Sequence, residues 1–104
     1  MQVTGLKLQN LYFKGCDIGP TGLAAICETQ RTLIELDLSA CARITDSALA
    51  ILSANLPCLQ FLSLQSCRSL TDVGISKLNQ LKELRHINLQ GLGTITANGQ
   101  FVFS

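Results

Sequence analysis

The sequence is short of the features that most enzyme chemistry requires. It has one histidine, and its five cysteines form no C-x-x-C pair, so the spacings of a zinc site and of a dithiol redox motif are both missing. It carries no glycine-rich phosphate loop, and its one histidine, His86, stands beside no cysteine. Charged residues are only 14% of the 104, and the net charge is +1, which excludes the basic field that nucleic-acid binding needs. No run approaches the roughly 20 apolar residues that span a bilayer. The opening "MQVTGLKLQN" also lacks the charged start and apolar block of a secretory signal. The expectation is a soluble chain in a reducing compartment, cytoplasmic or nuclear, with no metal, cofactor, nucleic acid or membrane. A hydrophobic content of 47% suits one folded domain over residues 1–104. With so little charge, either much of the chain is buried or some surface meets a neighbour.

What is present is repetition. "LQNLYFKGC" begins at Leu8, "LIELDLSAC" at Leu33, "LQFLSLQSC" at Leu59 and "LRHINLQGL" at Leu84. Each reads L-x-x-(L/I)-x-(L/F)-x-x-(C/L). The second halves repeat too, with apolar residues at Ile18, Leu23 and Ile26, at Ile44, Leu49 and Leu52, and at Leu70, Ile75 and Leu78. The units run over about 8–32, 33–58, 59–83 and 84–104. One such motif is weak evidence, but four in near-constant register specify a solenoid with one strand and one helix per turn.

Local physics supports both halves of the unit. Leu36 and Leu38 alternate with Glu35, Asp37 and Ser39, giving a strand with one dry and one wet face. With Thr45 as N-cap, Ile44 and Leu49 take the two positions of a hydrophobic staple, and Asp46 meets the positive end of the helix dipole. Leu70, Thr71, Asp72 and Ile75 repeat the device. Ile18, Gly19, Pro20 and Leu23 vary it, with proline at the first helical position, where its missing N–H costs nothing. Pro57 helps stop the second helix. The fourth unit departs: Asn98-Gly99 is a turn signal inside the expected helix, and Phe101, Val102 and Phe103 are expected to cap the core instead. Met1 to Lys7 is too short for a preceding repeat, so the N-terminal end is expected to be uncapped and the chain a slice of a longer arc.

"CARITDSAL" and "CRSLTDVGI", each following an L-x-x-L-x-L strand, resemble the cysteine-containing leucine-rich repeat. That subtype is characteristic of F-box/leucine-rich-repeat proteins and of the antagonist of mitotic exit network proteins. "CDIGPTGL" is one residue shorter, and "LGTITANGQ" departs from the pattern. The resemblance covers about residues 6 to 97. It implies an α/β leucine-rich-repeat solenoid of about three full repeats and a partial fourth, with short parallel strands on the concave face and helices on the convex face. It further implies capture of a protein substrate for a cullin–RING ubiquitin ligase, whose adaptor would bind only if the parent chain has an F-box. An F-box is not expected within these 104 residues.

Several residue groups invite a chemical reading. Cys16, Cys41 and Cys67 fall one per rung, close enough on neighbouring parallel strands for a disulfide. Leu92 occupies the same place in the fourth rung, so a packed column of small apolar residues is the favoured reading. Cys27 and Cys58 follow the helix region and are expected to be partly exposed. Glu35 and Asp37 lie two apart on one strand face, as a general acid and base could, but an open sheet offers them no pocket. His86 reads as a surface residue, and Arg43 and Arg68 as solvated rim residues.

The expected site is the concave face, in three columns. The first holds Asn10, Glu35, Phe61 and His86, the second Tyr12, Asp37, Ser63 and Asn88, the third Lys14, Ser39, Gln65 and Gln90. Tyr12 and Phe61 are expected to be exposed aromatics among hydrogen-bonding groups, the chemistry of a protein-recognition surface. The expected function is non-enzymatic protein binding, as a substrate-recognition segment. The alternative is a small scaffold or assembly factor that self-associates end to end through the uncapped N-terminal side.

Overall fold

Each repeat contributes three residues of strand and a helix that returns the chain to the next strand. In the computed structural model, which describes residues 8–92, the elements are β1 (Asn10–Tyr12), α1 (Pro20–Thr29), β2 (Glu35–Asp37), α2 (Asp46–Asn55), β3 (Phe61–Ser63), α3 (Asp72–Ser76) and β4 (His86–Asn88). The strands form one parallel sheet in the order β1-β2-β3-β4. Asn10 pairs with Glu35, Glu35 with Phe61, and Phe61 with His86, so equivalent positions stand in line.

The core lies between sheet and helices, and leucine fills it. Leu33, Leu36, Leu38, Ile44, Leu49, Leu52 and Leu56 of the second rung are fully buried, as are Leu59, Leu62, Leu64, Leu70 and Ile75 of the third. In the first rung Leu8, Leu11, Phe13 and Ile18 are only half-buried against this core. A solenoid rung gains its dry surface from its neighbours, and the outermost described rung has one fewer.

The chain leaves every strand through a left-handed residue. Gly15, Ala40, Ser66 and Gly91 occupy the same repeat position with φ of 74°, 60°, 61° and 80°. Two glycines supply that conformation freely, whereas Ala40 and Ser66 hold it against a steric cost.

The helices begin as expected. Gly19, Thr45 and Thr71 are the N-caps, with Pro20, Asp46 and Asp72 next. Asp46 also reaches the following rung, where Oδ1 accepts the Thr71 N–H at 2.9 Å and Oδ2 accepts the Thr71 hydroxyl at 2.5 Å. The third helix differs from the expected full turn of repeat helix: α3 ends at Ser76 and a 3-10 helix, Lys77–Gln80, completes it. The stretch from N-cap to next strand is one residue shorter in this repeat than in the first two. The greater rise per residue of a 3-10 helix spans the same distance with fewer residues. The expected tail cap of Phe101, Val102 and Phe103 lies outside the described residues, as does Met1 to Lys7.

Candidate functional site: the concave sheet face

Strand alternation turns Leu11, Leu36, Leu62 and Ile87 toward the core and their flanking residues outward. In-register pairing then assembles the outward residues into the two expected columns, Asn10–Glu35–Phe61–His86 and Tyr12–Asp37–Ser63–Asn88. Tyr12 is 59% exposed. Its hydroxyl donates to Glu35 Oε2 at 2.6 Å, a diagonal reach from β1 to β2. That hydrogen bond, then the little burial the ring has, then the charges of Glu35 and Asp37, hold the phenol above the usual tyrosine range.

The other polar residues are tied in similarly. Asp37 Oδ1 accepts the Ser39 N–H at 2.9 Å, and Asn88 Oδ1 accepts the Gln90 N–H at 3.0 Å, two equivalent turns closing two strands. Asn88 Nδ2 donates to Gln65 Oε1 at 3.3 Å. Asn10, Lys14, His86 and Gln90 are exposed, while Glu35, Asp37, Phe61, Gln65 and Asn88 are intermediate. Phe61 is thus half-buried rather than the exposed aromatic its position suggested. Ser39 and Ser63 differ more, at 5% and 4% exposed, with their hydroxyls 2.6 Å apart. A hydroxymethyl group on an interior rung is too short to clear its neighbours, and the two serines satisfy each other.

The cysteine column is structural and more specific than simple packing. Cys41 Sγ donates to the Phe13 carbonyl at 3.0 Å and Cys67 Sγ to the Leu38 carbonyl at 2.9 Å. Each carbonyl also accepts a backbone N–H within its own rung, from Cys16 and Cys41 respectively. The thiol therefore fills a second lone pair and links successive rungs. Burial raises the Cys41 and Cys67 thiols above the usual cysteine range and pushes Cys27 up to about 11, keeping all three protonated at neutral pH. All five cysteines are free, so no disulfide joins the column.

Two expectations about exposure reverse. Cys16 is exposed, because it stands on the outermost described rung, while Cys27 is fully buried on the inner face of α1. Cys58 is exposed, as expected. Arg43 is less free than a solvated rim residue, since it spans to the preceding rung at the Asp17 carbonyl (3.3 Å) and carboxylate (3.7 Å).

Sequence reasoning missed a cleft of about 510 Å3 on the strand-entry side, lined by Gln9, Thr32, Ile34, Cys58, Gln60 and Glu83. The signal was available: Gln9, Ile34 and Gln60 form one repeat column, and Thr32, Cys58 and Glu83 another. Among the described residues no group of three or more His, Cys, Asp or Glu could hold a metal ion. No helix there is long and apolar enough to cross a membrane.

A parallel sheet on one face, helices on the other, and one strand–helix unit per turn define an α/β repeat solenoid. A profile of the Leucine Rich repeat family matches residues 6–27, 29–51 and 55–78, more than half of the chain. The chain belongs to the leucine-rich-repeat family. A comparison with curated proteins finds no match. Members of this family are typically non-enzymatic and generally bind protein partners.

Proposed function

We propose that this chain is a non-enzymatic protein-recognition module that takes its partner on the concave sheet face. The observation that carries the reading is the outward-facing Tyr12, 59% exposed and fixed by Glu35 on an open, in-register sheet. An aromatic held in one orientation loses little entropy on contact, which is how such residues become hot spots. The finer reading is substrate recognition in an F-box-type ubiquitin-ligase context. It rests on "CARITDSAL" and "CRSLTDVGI", and it sets the chain in the reducing cytoplasm or nucleus, where five thiols stay free.

The test is affinity capture with the wild-type chain and with a variant carrying alanine at Tyr12, Glu35, Asp37 and Phe61. Circular dichroism would check that both are folded. A protein held by the first and released by the second supports the module, and a cullin–RING adaptor among the captured proteins supports the ligase context. Capture indifferent to the four substitutions overturns the concave-face reading.

One observation favours the second reading, a scaffold that associates end to end. Leu8, Leu11, Phe13 and Ile18 are half-buried where their second-rung counterparts Leu33, Leu36, Leu38 and Ile44 are fully buried. Sedimentation at rising concentration decides it, since a persistent monomer removes this alternative.

A further inference from the structure

The repeat supplies its own controls for what the concave face needs in order to fold. The Asp37 position is filled by Tyr12, Ser63 and Asn88 in the other rungs, and the Glu35 position by Asn10, Phe61 and His86. Asn88 closes its strand with the same side-chain-to-backbone bond that Asp37 makes. An amide therefore satisfies the fold at this position, and the negative charge is not required by it.

Among the described residues neither carboxylate is paired with a cation, and the ion pairs Arg43–Asp17 and Arg85–Glu83 lie away from this face. Lys14, on the same face, pairs with neither carboxylate. Glu35 uses Oε2 for the Tyr12 hydroxyl and Asp37 uses Oδ1 for the Ser39 N–H, which leaves Glu35 Oε1 and Asp37 Oδ2 outside these bonds.

The neighbours of the carboxylates are rings. β2 carries both acids, β1 carries Tyr12 beside Asp37, and β3 carries Phe61 beside Glu35. Strands in such a sheet lie about 4.8 Å apart, so one planar cation over β2 spans both acids and reaches both rings. Guanidinium suits this arrangement better than ammonium, because it donates in a fork to two carboxylate oxygens and stacks on aromatic faces.

We propose that the occupant of the concave face is an arginine-bearing peptide segment, its guanidinium over Glu35 and Asp37 and flanked by Tyr12 and Phe61. The proposal rests on the concave-face reading above and names the partner's chemistry. The raised Tyr12 phenol agrees with it: after the hydrogen bond to Glu35 and the slight burial of the ring, the charges of Glu35 and Asp37 both add to the shift.

Tyr12 is the only tyrosine and there is no tryptophan, so tyrosine emission reads this face directly. The experiment titrates the full chain with capped tetra-arginine, tetra-lysine, tetra-glutamine and tetra-glutamate peptides. Saturable change with tetra-arginine is expected, weaker with tetra-lysine and absent with the other two. The charge-neutral variant Glu35→Gln/Asp37→Asn keeps both hydrogen-bond acceptors and should still fold. It should bind tetra-arginine roughly tenfold more weakly, the size of a lost charge-assisted bond. No saturable response, equal binding by the lysine or glutamate peptide, or unchanged binding by the neutral variant overturns the proposal. If no peptide binds yet the four-alanine variant loses the captured partner, the recognition reading stands and the arginine assignment falls. If that variant keeps its partner, the recognition reading itself falls.

Discussion

The Tyr12 hydroxyl donates to the Glu35 carboxylate at 2.6 Å, joining two rungs on the outer surface of the sheet. Neutralising the acceptor should bring the phenol down. In Glu35→Gln the hydrogen bond to an anion and the nearer charge both vanish, so the Tyr12 titration moves back toward the ordinary tyrosine value. Asp37→Asn should move it less, since Asp37 acts only through its charge. Ultraviolet absorbance of the phenolate measures both. A Tyr12 titration identical in the wild type and Glu35→Gln would show that the bond does not persist in solution.

Gly74 of α3 lies directly against Asp46, the first residue of α2. A Cβ there would lie 2.2 Å from Asp46 Oδ1, 2.8 Å from Asp46 Cγ and 2.9 Å from Asp46 Cα. The backbone atom cannot swing aside, and a shifted Asp46 side chain would release both its bonds to Thr71. Overpacking of this kind costs about 1–3 kcal/mol against a gain of roughly 1 kcal/mol in helix propensity, so Gly74→Ala should destabilise the chain by up to about 2 kcal/mol net. Urea denaturation reads the sign directly.

The left-handed column predicts substitutions of opposite sign at equivalent positions. Ala40→Gly and Ser66→Gly relieve φ of 60° and 61°, and each should stabilise by about 0.5–1 kcal/mol after the extra freedom of unfolded glycine is counted. Gly15→Ala meets nothing within 4 Å, yet φ of 74° alone should make it destabilising by about 1 kcal/mol. A crowding explanation would predict no effect at Gly15, so this variant separates backbone strain from packing.

These cases show what a periodic sequence discloses. The strands, N-caps and concave columns were legible because L-x-x-L-x-L and the staple spacing are local patterns, repeated with little drift. What stayed hidden depends on neighbours. Cys16 shares the motif position of Cys41 and Cys67, but burial there requires a preceding rung. Ser39 and Ser63 follow the outward alternation of the strand, yet their size and their contact with each other decide their burial. Cys27 falls one residue beyond the Ile26 position that the triplet marked, still on the inner helix face. The cleft beside Cys58 belongs to three rungs together, so no single repeat displays it.

The thiol ladder makes a prediction about energy. Cys67→Ala removes both buried volume and the donor to the Leu38 carbonyl, and should cost about 1–3 kcal/mol. Cys16→Ala, on the exposed end of the same column, should stay within about 0.5 kcal/mol. Equal effects would mean that the inter-rung thiol bonds contribute nothing.

Alkali should act on the same groups. An unfolded thiol ionises near its ordinary value, roughly 8.5. Burial holds the folded Cys27 up to about 11 and also raises Cys41 and Cys67. Above the unfolded value the unfolded chain releases protons that the folded chain retains, and this favours unfolding. The stabilisation is therefore whole below about pH 8.5 and is lost as pH rises toward 11. Thermal unfolding followed across that interval should show a falling midpoint, and Cys27→Ala should flatten the fall even though it lowers the starting value. Thiol labelling at neutral pH gives the matching kinetic result. Cys16 and Cys58 should react at once, and Cys27, Cys41 and Cys67 only as fast as the chain opens. Prompt labelling of all five cysteines in the folded chain would contradict the burial on which both expectations stand.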